Sequence, residues 1–233
     1  MVQITPEVHM IDRVSGGHVY LILDDGITLI DAGMGHSEKR ILEAIKKSGY
    51  YPTDIKRIII THAHPDHIGG LKALRDVSQA QVLAGASDAD AIEGTKPVPI
   101  PTTSWPMAVL LLLLRPILKH VPSPVDVRLK EGDSIPVMGG LIVVELPGHT
   151  PGNIGLHCPS KKVLFSGDTL RMKGNEFIKP LNYSGNKAQS LASIIKMGTL
   201  DFEIMLSGHD RPILNGAAKK VADFAEKLSR EKD

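Results

Sequence analysis

The segment THAHPDHIGG, residues 61–70, concentrates side chains that can bind a metal at the end of an apolar run: His62, His64, Asp66 and His67. His62 and His64 are two positions apart, so they would point about 200° away from each other on a helix but to the same side of an extended segment. Pro65 suits the first turn of a following helix, which places the last two residues of the cluster near its N-terminus. Imidazole nitrogen and carboxylate oxygen are ligands for zinc and are also accepted by iron or manganese. The spacing therefore predicts a metal site at a strand end.

Three further candidate ligands follow apolar runs elsewhere in the chain: His149 in ELPGHTPGN, Asp168 in LFSGDTL and His209 in IMLSGHD. In each case a glycine precedes the candidate, and glycine allows the backbone to turn sharply and to approach a ligand closely. With the first cluster, these residues make five histidines and two aspartates. Such a set is large enough for two metal ions with open coordination positions, as catalysis requires.

These motifs resemble those of the metallo-beta-lactamase superfamily. HAHPDH matches its His-x-His-x-Asp-His signature, PGHTPG, SGDT and SGHD match its later ligand motifs in the same order, and LIDAG at 29–33 looks like its early Asp-x-Gly strand end. The resemblance covers residues from about 15 to 215. It implies an α+β fold, an αββα sandwich of two packed mixed β-sheets flanked by helices, with the metals at one edge between the sheets.

The resemblance also implies roles for individual residues. One metal ion would be held by His62, His64 and His149, the other by Asp66, His67 and His209, and Asp168 would bridge them. Asp66 is the candidate catalytic residue, because it could receive or orient the proton of the nucleophile. Asp31 is expected to support the metal loop from behind. Three residues are weaker candidates for substrate contacts: His36, Trp105 and Tyr183.

The expected activity is that of a metal-dependent hydrolase. A hydroxide bridging two metal ions, zinc in the first instance and iron or manganese as alternatives, would attack the carbonyl of an ester, thioester or lactone. A mononuclear iron persulfide dioxygenase-type oxidoreductase and a phosphodiesterase on the same scaffold remain alternatives, and a non-catalytic metal-binding protein is a third class. The expected partner is a small-molecule substrate.

Departures from known subgroups narrow the choice of substrate. Asp168 argues against the beta-lactamase branches, which the resemblance implies would lack that carboxylate. Glyoxalase II has a similar ligand set, but its members carry a long helical C-terminal region, whereas 24 residues follow His209. Lactonases have a tyrosine shortly after the bridging aspartate; here the third residue after it is Arg171, and the nearest tyrosine is Tyr183. Flavodiiron proteins place glutamate where this chain has His64.

Composition excludes several other classes of protein. The 233 residues carry 27 basic and 26 acidic side chains, a formal net charge of +1, which predicts no nucleic-acid partner. The single cysteine, Cys158, cannot form an intramolecular disulfide, and the N-terminal residues lack the features of a secretory signal, so a cytoplasmic location is expected. No transmembrane segment is expected, because the longest apolar run, at 107–114, is much shorter than the roughly 20 residues that span a bilayer.

The rest of the chain predicts one domain over residues 1–233, with an apolar, proline-flanked insertion at about 95–120. Within the insertion, the leucine-rich segment 104–118 is read either as a helix buried against the domain or as a lid or homodimer contact. An apolar lid would favour a small, partly apolar substrate.

The ligand motifs need strands and helices to position them. The runs HVYLILDD and GITLIDAG predict a hairpin, and IKRIIITH predicts the strand that leads into the histidine cluster. DHIGGLKALRDV predicts one helix, whereas VDVRLKEGDSI, GLIVVELPGH, NIGLHCPS and KKVLFSGDTL predict four strands. Further helices are predicted at HSEKRILEAIKKSGY, NKAQSLASIIKMGTL and the final amphipathic stretch, and a last strand at FEIMLSGHD. Two sheets with helices outside satisfy this order, although periodicity alone does not exclude a single mixed sheet.

Overall fold

A computed structural model describes residues 1–99, 120–180 and 186–230. In these ranges the strands form two mixed sheets and one separate hairpin. The first sheet has seven strands in chain order: β1 (Val2–Gln3), β2 (Val8–Ile11), β3 (Val19–Asp24), β4 (Gly26–Ile30), β5 (Ile55–Ile60), β6 (Gln81–Gly85) and β7 (Val127–Leu129). Its first four strands are antiparallel, and β4 to β7 run parallel.

The second sheet has five strands in the order β14-β11-β10-β9-β8. Their bounds are β8 (Ser134–Ile135), β9 (Leu141–Glu145), β10 (Ile154–Cys158), β11 (Val163–Gly167) and β14 (Ile204–Ser207). β11 and β14 are parallel, and the other pairs are antiparallel. The hairpin consists of β12 (Arg171–Lys173) and β13 (Glu176–Ile178).

Helices cover both outer faces of the sheets. The helices in the described ranges are α1 (Ser37–Lys47), α2 (Pro65–Ile68), α3 (Leu71–Ser78), α4 (Ala86–Ile92), α5 (Lys187–Met197) and α6 (Ala217–Arg230), with short 3-10 turns at Pro52–Asp54 and Pro159–Lys161. None of these helices combines the length and the apolar character needed to cross a membrane.

The buried side chains form three apolar layers, which follow from the periodicity of each element. Ile41 and Ile45 lie four positions apart on α1 and pack with the outer face of the first sheet. Strands of both sheets contribute to the central layer, where Ile59 and Phe165 are both buried. Leu164, next to Phe165, points to the opposite face and packs under α5 and α6. The predicted α+β fold with an αββα arrangement is therefore confirmed.

Two predicted elements are divided in the structure. The helix predicted from DHIGGLKALRDV is split into α2 and α3 at Gly69 and Gly70. A Cβ on Gly69 would lie 2.2 Å from the Gly35 nitrogen, and one on Gly70 would lie 2.5 Å from the Ala32 carbonyl oxygen. The glycine pair therefore lets the chain pass close to the backbone that leads from β4 to α1, which a continuous helix with side chains could not do.

The strand predicted from VDVRLKEGDSI is likewise two strands, β7 in the first sheet and β8 in the second. Between them a turn is closed by the Asp133 amide, which donates to the Lys130 carbonyl at 3.1 Å, and Gly132 adopts a φ of +80°. Glycine supplies this left-handed conformation without strain. The sequence did not predict β1, β2, β6, α4 or the β12–β13 hairpin.

Candidate metal centre

The edge between the two sheets gathers the ends of parallel strands. β4 and β5 are parallel neighbours in the first sheet, and Asp31 and His62 follow them closely. β11 and β14 are parallel neighbours in the second sheet, and Asp168 and His209 follow them. Because the carboxyl ends of parallel strands meet at one edge, four segments that are distant in sequence deliver polar side chains to the same place.

The HAHPDH segment has the local conformation that its spacing predicts. His64 is extended, with φ −87° and ψ 148°, and directly precedes α2, whose first residue is Pro65. The His67 amide donates to the His64 carbonyl at 2.9 Å, so the helix begins at once. His62 Nε2 lies 3.1 Å from His64 Nδ1, which places the two imidazoles on the same side of the loop.

All seven sequence-predicted ligands are brought together. Their nitrogen and oxygen atoms form three groups in which the atoms lie within 4.8 Å of one another: His62, His64 and His149; His62, His67 and Asp168; and Asp66, His67 and His209. Asp168 lies between the first and the third group. Its Oδ2 is 3.5 Å from His149 Nε2 and 3.2 Å from His209 Nε2, and its Oδ1 is 3.7 Å from His67 Nε2.

The arrangement of polar atoms fits a bound cation. Three buried atoms, His64 Nε2, His149 Nε2 and Asp168 Oδ1, have no hydrogen-bond partner among the described residues. Leaving a buried polar atom unpaired costs about 1–3 kcal/mol, and all three atoms belong to residues of the cluster, where a bound cation would compensate for this cost. Imidazole nitrogens and carboxylate oxygens are the donors that zinc, iron and manganese accept. The residues present therefore fit the divalent metals that the sequence predicts.

Burial keeps the histidines of the first group uncharged. It lowers the pKa of His64 and of His149 to about 4, and it lowers the pKa of His62 well below the usual range, with the neighbouring imidazoles acting in the same direction. At neutral pH each ring therefore retains a lone pair that can bind a metal.

In the second group, charged neighbours shift the pKa values of His209 and Asp66. Burial opposes a charge on His209, but hydrogen bonds to Asp168 and Asp66 outweigh it and raise the pKa of His209 to about 10. Burial also opposes ionisation of Asp66, but the hydrogen bond from His209 and the charge of His67 lower its pKa to about 2. A metal ion bound by His209 would therefore displace a proton from its imidazole.

Asp31 of the LIDAG motif contacts the ring nitrogen of His67 that points away from the cluster. Its Oδ2 is 2.8 Å from His67 Nδ1, and its carboxylate also accepts hydrogen bonds from the Thr61 amide and hydroxyl, each at 2.8 Å. Asp31 adopts a φ of +64°, a conformation that aspartate tolerates better than most residues. By accepting the Nδ1 proton of His67, Asp31 directs the lone pair of Nε2 into the cluster.

A second carboxylate, Asp88 on α4, joins two of the ligand segments and was missed in the sequence. Its Oδ2 accepts hydrogen bonds from the Ala63 amide at 2.8 Å and the Thr150 hydroxyl at 2.6 Å, and its Oδ1 accepts one from the Gly152 amide at 2.7 Å. Ala63 separates His62 from His64, and Thr150 follows His149. Asp88 is buried on the face of α4 that also carries Ala91 and Ile92, and a charged residue on an apolar helix face is the signal that could have revealed it.

Replacing Asp88 with asparagine is expected to weaken metal binding by the His62, His64 and His149 group about 10- to 100-fold, because an NH2 group would face one of the donors that now bind the carboxylate. The matched control is Asp90→Asn on the same helix, where the carboxylate pairs with Lys96 and Arg128 at the surface. Zinc competition titrations with a chromophoric chelator measure the effect. Equal affinity in both variants and the unmodified protein would contradict the positioning role.

The candidate substrate residues are not gathered in the same way. His36 is exposed at the start of α1, and no hydrogen bond, ion pair or ring contact described for the seven cluster residues involves it. Trp105 and Tyr183 lie outside the described residues, as does the apolar segment 104–118. Their roles in substrate binding or dimerisation stay predictions.

Two glycines that border the cluster explain part of its sequence pattern. A Cβ on Gly208 would lie 2.1 Å from Asp168 Oδ1, and a Cβ on Gly17 would lie 2.5 Å from His67 Cε1. Only glycine allows the backbone to approach the cluster this closely. Gly208 belongs to the predicted SGHD motif, whereas Gly17 was not singled out, because its contact comes from a loop far away in sequence.

Comparison with known proteins gives a family match and several relatives. A family model described as the metallo-beta-lactamase superfamily matches residues 12–209. A hydroxyacylglutathione hydrolase from Cereibacter sphaeroides is 27% identical over 206 residues, which cover 88% of this chain and 66% of that protein. A probable metallo-hydrolase, YflN, from Bacillus subtilis is 28% identical over 218 residues, which cover 86% of this chain and 82% of that protein. The chain thus spans just under two thirds of the length of the hydroxyacylglutathione hydrolase.

Solved structures share the architecture. A metallo-beta-lactamase family protein from Thermus thermophilus matches with a TM-score of 0.75 at 20% identity, covering 98% of this chain and 81% of that one. BJP-1, a subclass B3 metallo-beta-lactamase of Bradyrhizobium japonicum, matches with a TM-score of 0.73 at 25% identity, covering 100% of this chain and 91% of that one. The likeness extends over both sheets and their flanking helices.

Proposed function

Because the chain belongs to the metallo-beta-lactamase superfamily, we propose that it is a metal-dependent hydrolase with a binuclear centre, acting on a thioester, ester or lactone. One observation carries the proposal: Asp168 lies within 3.7 Å of His67 and within 3.5 Å of His149, and these two histidines belong to separate ligand groups. A carboxylate in that position can serve two ions at once. A mononuclear site would use only one of the two groups of candidate ligands.

The residues are assigned to the ions by group. His62, His64 and His149 would hold one ion, Asp66, His67 and His209 the other, and Asp168 both. When bound, divalent cations such as zinc supply a hydroxide nucleophile at neutral pH and polarise the carbonyl of the substrate. No serine or cysteine nucleophile is needed for this chemistry.

Asp66 is the proposed proton carrier. It is the most exposed of the seven cluster residues, with 27% of its side chain accessible, whereas His67 is fully buried. In the reaction, a carbon–oxygen bond forms between water and the carbonyl carbon, and the bond to the leaving sulfur or oxygen breaks. The proton lost by water moves to a carboxylate oxygen of Asp66 and then to the leaving thiolate or alkoxide, so that an acid and a thiol or alcohol result.

A thioester is the favoured substrate class among the three. The name of the hydroxyacylglutathione hydrolase describes hydrolysis of an acyl group attached to glutathione, and this relative aligns over 88% of the chain. The expectation of a partly apolar substrate depends on segment 104–118, outside the described residues. The described chain that leads towards that segment ends at Pro99, whose backbone lies beside His64.

Metal analysis and a substrate panel test this proposal together. Protein purified without added metal is expected to contain two ions per chain and to hydrolyse simple thioesters, and chelation should abolish turnover until zinc is restored. One iron per chain, together with oxygen consumption when a persulfide is supplied, would show that the protein is an oxidoreductase and not a hydrolase. Hydrolysis confined to phosphodiesters would refute the acyl substrate class.

A further inference from the structure

Arg171 lies beside the cluster, and a neighbouring carboxylate holds it there. It is the first residue of β12, three positions after Asp168. Its Nε donates a hydrogen bond to Asp210 Oδ2 at 3.1 Å, and the Met172 amide donates to the same oxygen at 2.9 Å. Asp210 directly follows His209, so one short segment positions both a metal-facing imidazole and the guanidinium.

The guanidinium retains donors that this arrangement does not use. The bond to Asp210 uses Nε, and Nη1 lies 3.9 Å from Asp168 Oδ2, too far for a hydrogen bond. The Arg171 side chain is 46% exposed, whereas that of Asp168 is 3% exposed. The Nη groups therefore lie between a buried carboxylate of the cluster and solvent, where a bound molecule can meet them.

A purely structural role accounts poorly for this position. An exposed ion pair with Asp210 contributes little to stability, typically about 0–1 kcal/mol, and does not require the guanidinium to approach Asp168. Lys173 on the same strand is also exposed and has no contact with Asp168 among those described. The arginine fork, by contrast, matches the geometry of a carboxylate and binds it through two parallel hydrogen bonds.

We propose that Arg171 binds a carboxylate on the acyl portion of the substrate, so that the preferred substrates are thioesters or esters of short dicarboxylic acids. The substrate class rests on the proposed hydrolase function, whereas the carboxylate site itself does not. Because Nη1 lies 3.9 Å from Asp168 Oδ2, a substrate carboxylate bound to Arg171 would be within a few bonds of the reacting carbonyl. A four-carbon acyl group such as succinyl meets this requirement.

Binding of product-like acids tests the site without turnover. Zinc-loaded protein is titrated by calorimetry with succinate and with butyrate, which share a chain length and differ by one carboxylate. Succinate is expected to bind about 10- to 100-fold more tightly, the range for a hydrogen-bonded charge pair, and Arg171→Gln should remove the difference. Lys173→Gln, which removes one positive charge from the same strand, should retain it. Equal binding of both acids by the unmodified protein, or an unchanged preference in Arg171→Gln, would overturn the proposal.

Kinetics with S-succinyl- and S-butyryl-N-acetylcysteamine separate this inference from the proposed function. Arg171→Gln is expected to raise KM for the succinyl thioester about 10- to 100-fold with little change in kcat, since the contact is made equally in the ground state and the transition state. The butyryl thioester should be unaffected. Selective succinate binding without hydrolysis of either thioester would refute the hydrolase and support the carboxylate site. Turnover of both thioesters at equal kcat/KM would refute the site and support the hydrolase.

Discussion

Asp168→Asn is expected to reduce thioester hydrolysis by about 1,000-fold or more, equivalent to roughly 4 kcal/mol of transition-state stabilisation. The reason is its position between the two ligand groups, 3.5 Å from His149, 3.2 Å from His209 and 3.7 Å from His67. Asparagine has the same size but offers one neutral oxygen, so it cannot neutralise two ions together. Steady-state kinetics with a simple thioester, and metal content per chain, measure the effect.

The control for this variant separates chemistry from folding. Asp76→Asn removes an exposed carboxylate that pairs with Lys72 four residues earlier on α3, and it should leave kcat/KM and metal content unchanged. The circular dichroism spectrum of Asp168→Asn should match that of the unmodified protein, because the substitution is isosteric. If Asp168→Asn retained two ions and near-normal turnover, the shared carboxylate would not be the centre of the mechanism.

The residues of the cluster could be predicted because the information that identifies them is local. His62 and His64 are separated by one residue, and a single loop conformation determines their relation. His149, Asp168 and His209 each follow a strand and a glycine, so each motif could be read without knowing its neighbours. The structure brings these segments together because two pairs of parallel strands end at the same edge. β9, which precedes His149, runs in the same direction as β11, since both are antiparallel to β10.

The contacts that position the surroundings of the cluster could not be predicted in the same way. Asp88 meets Gly152 across 64 positions of sequence, and Arg171 meets Asp210 across 39. Neither contact has a local pattern, because each depends on which loops the two sheets place side by side. The residue type alone did not indicate a role for Asp31, since an aspartate at a strand end is also compatible with a turn or a helix cap. The resemblance to the family provided the prediction that Asp31 supports the metal loop.

The divided elements show a related limit of periodicity. In the segment VDVRLKEGDSI, apolar residues alternate at Val125, Val127 and Leu129, and one more apolar residue, Ile135, follows the turn. The pattern therefore reads as one strand although the segment crosses between sheets. Gly132 and Asp133 predict a turn inside this segment, and Gly132 has a positive φ, but glycine ends a strand as readily as it bends one. Apolar periodicity identifies which residues face a core, but it does not distinguish which of two cores they face.

Asp31→Ala is expected to lower the unfolding free energy of the metal-free protein by about 3–5 kcal/mol, the range for removing one partner of a buried ion pair. The Asp31 carboxylate accepts from the Thr61 amide, the Thr61 hydroxyl and His67 Nδ1, and all of these groups are buried. Alanine would leave the Thr61 amide and His67 Nδ1 without this acceptor, whereas the Thr61 hydroxyl would still have His62 Nδ1 at 3.0 Å. It would also place a residue poorly suited to a φ of +64° at the end of β4.

Asp31→Asn provides the matched comparison, because it retains the size of the side chain and tolerates the left-handed backbone. It can still accept a hydrogen bond from Thr61, but its neutral amide cannot pair with His67 as the carboxylate does. Urea denaturation of chelator-treated protein should therefore show a smaller loss of stability for Asp31→Asn than for Asp31→Ala, whereas zinc titration should show that both weaken binding by the group containing His67. Equal stability of the two variants would mean that the loss of unfolding free energy comes from the lost charge and not from the unpaired Thr61 amide. Unchanged zinc affinity in both would mean that Asp31 stabilises the loop without orienting the imidazole.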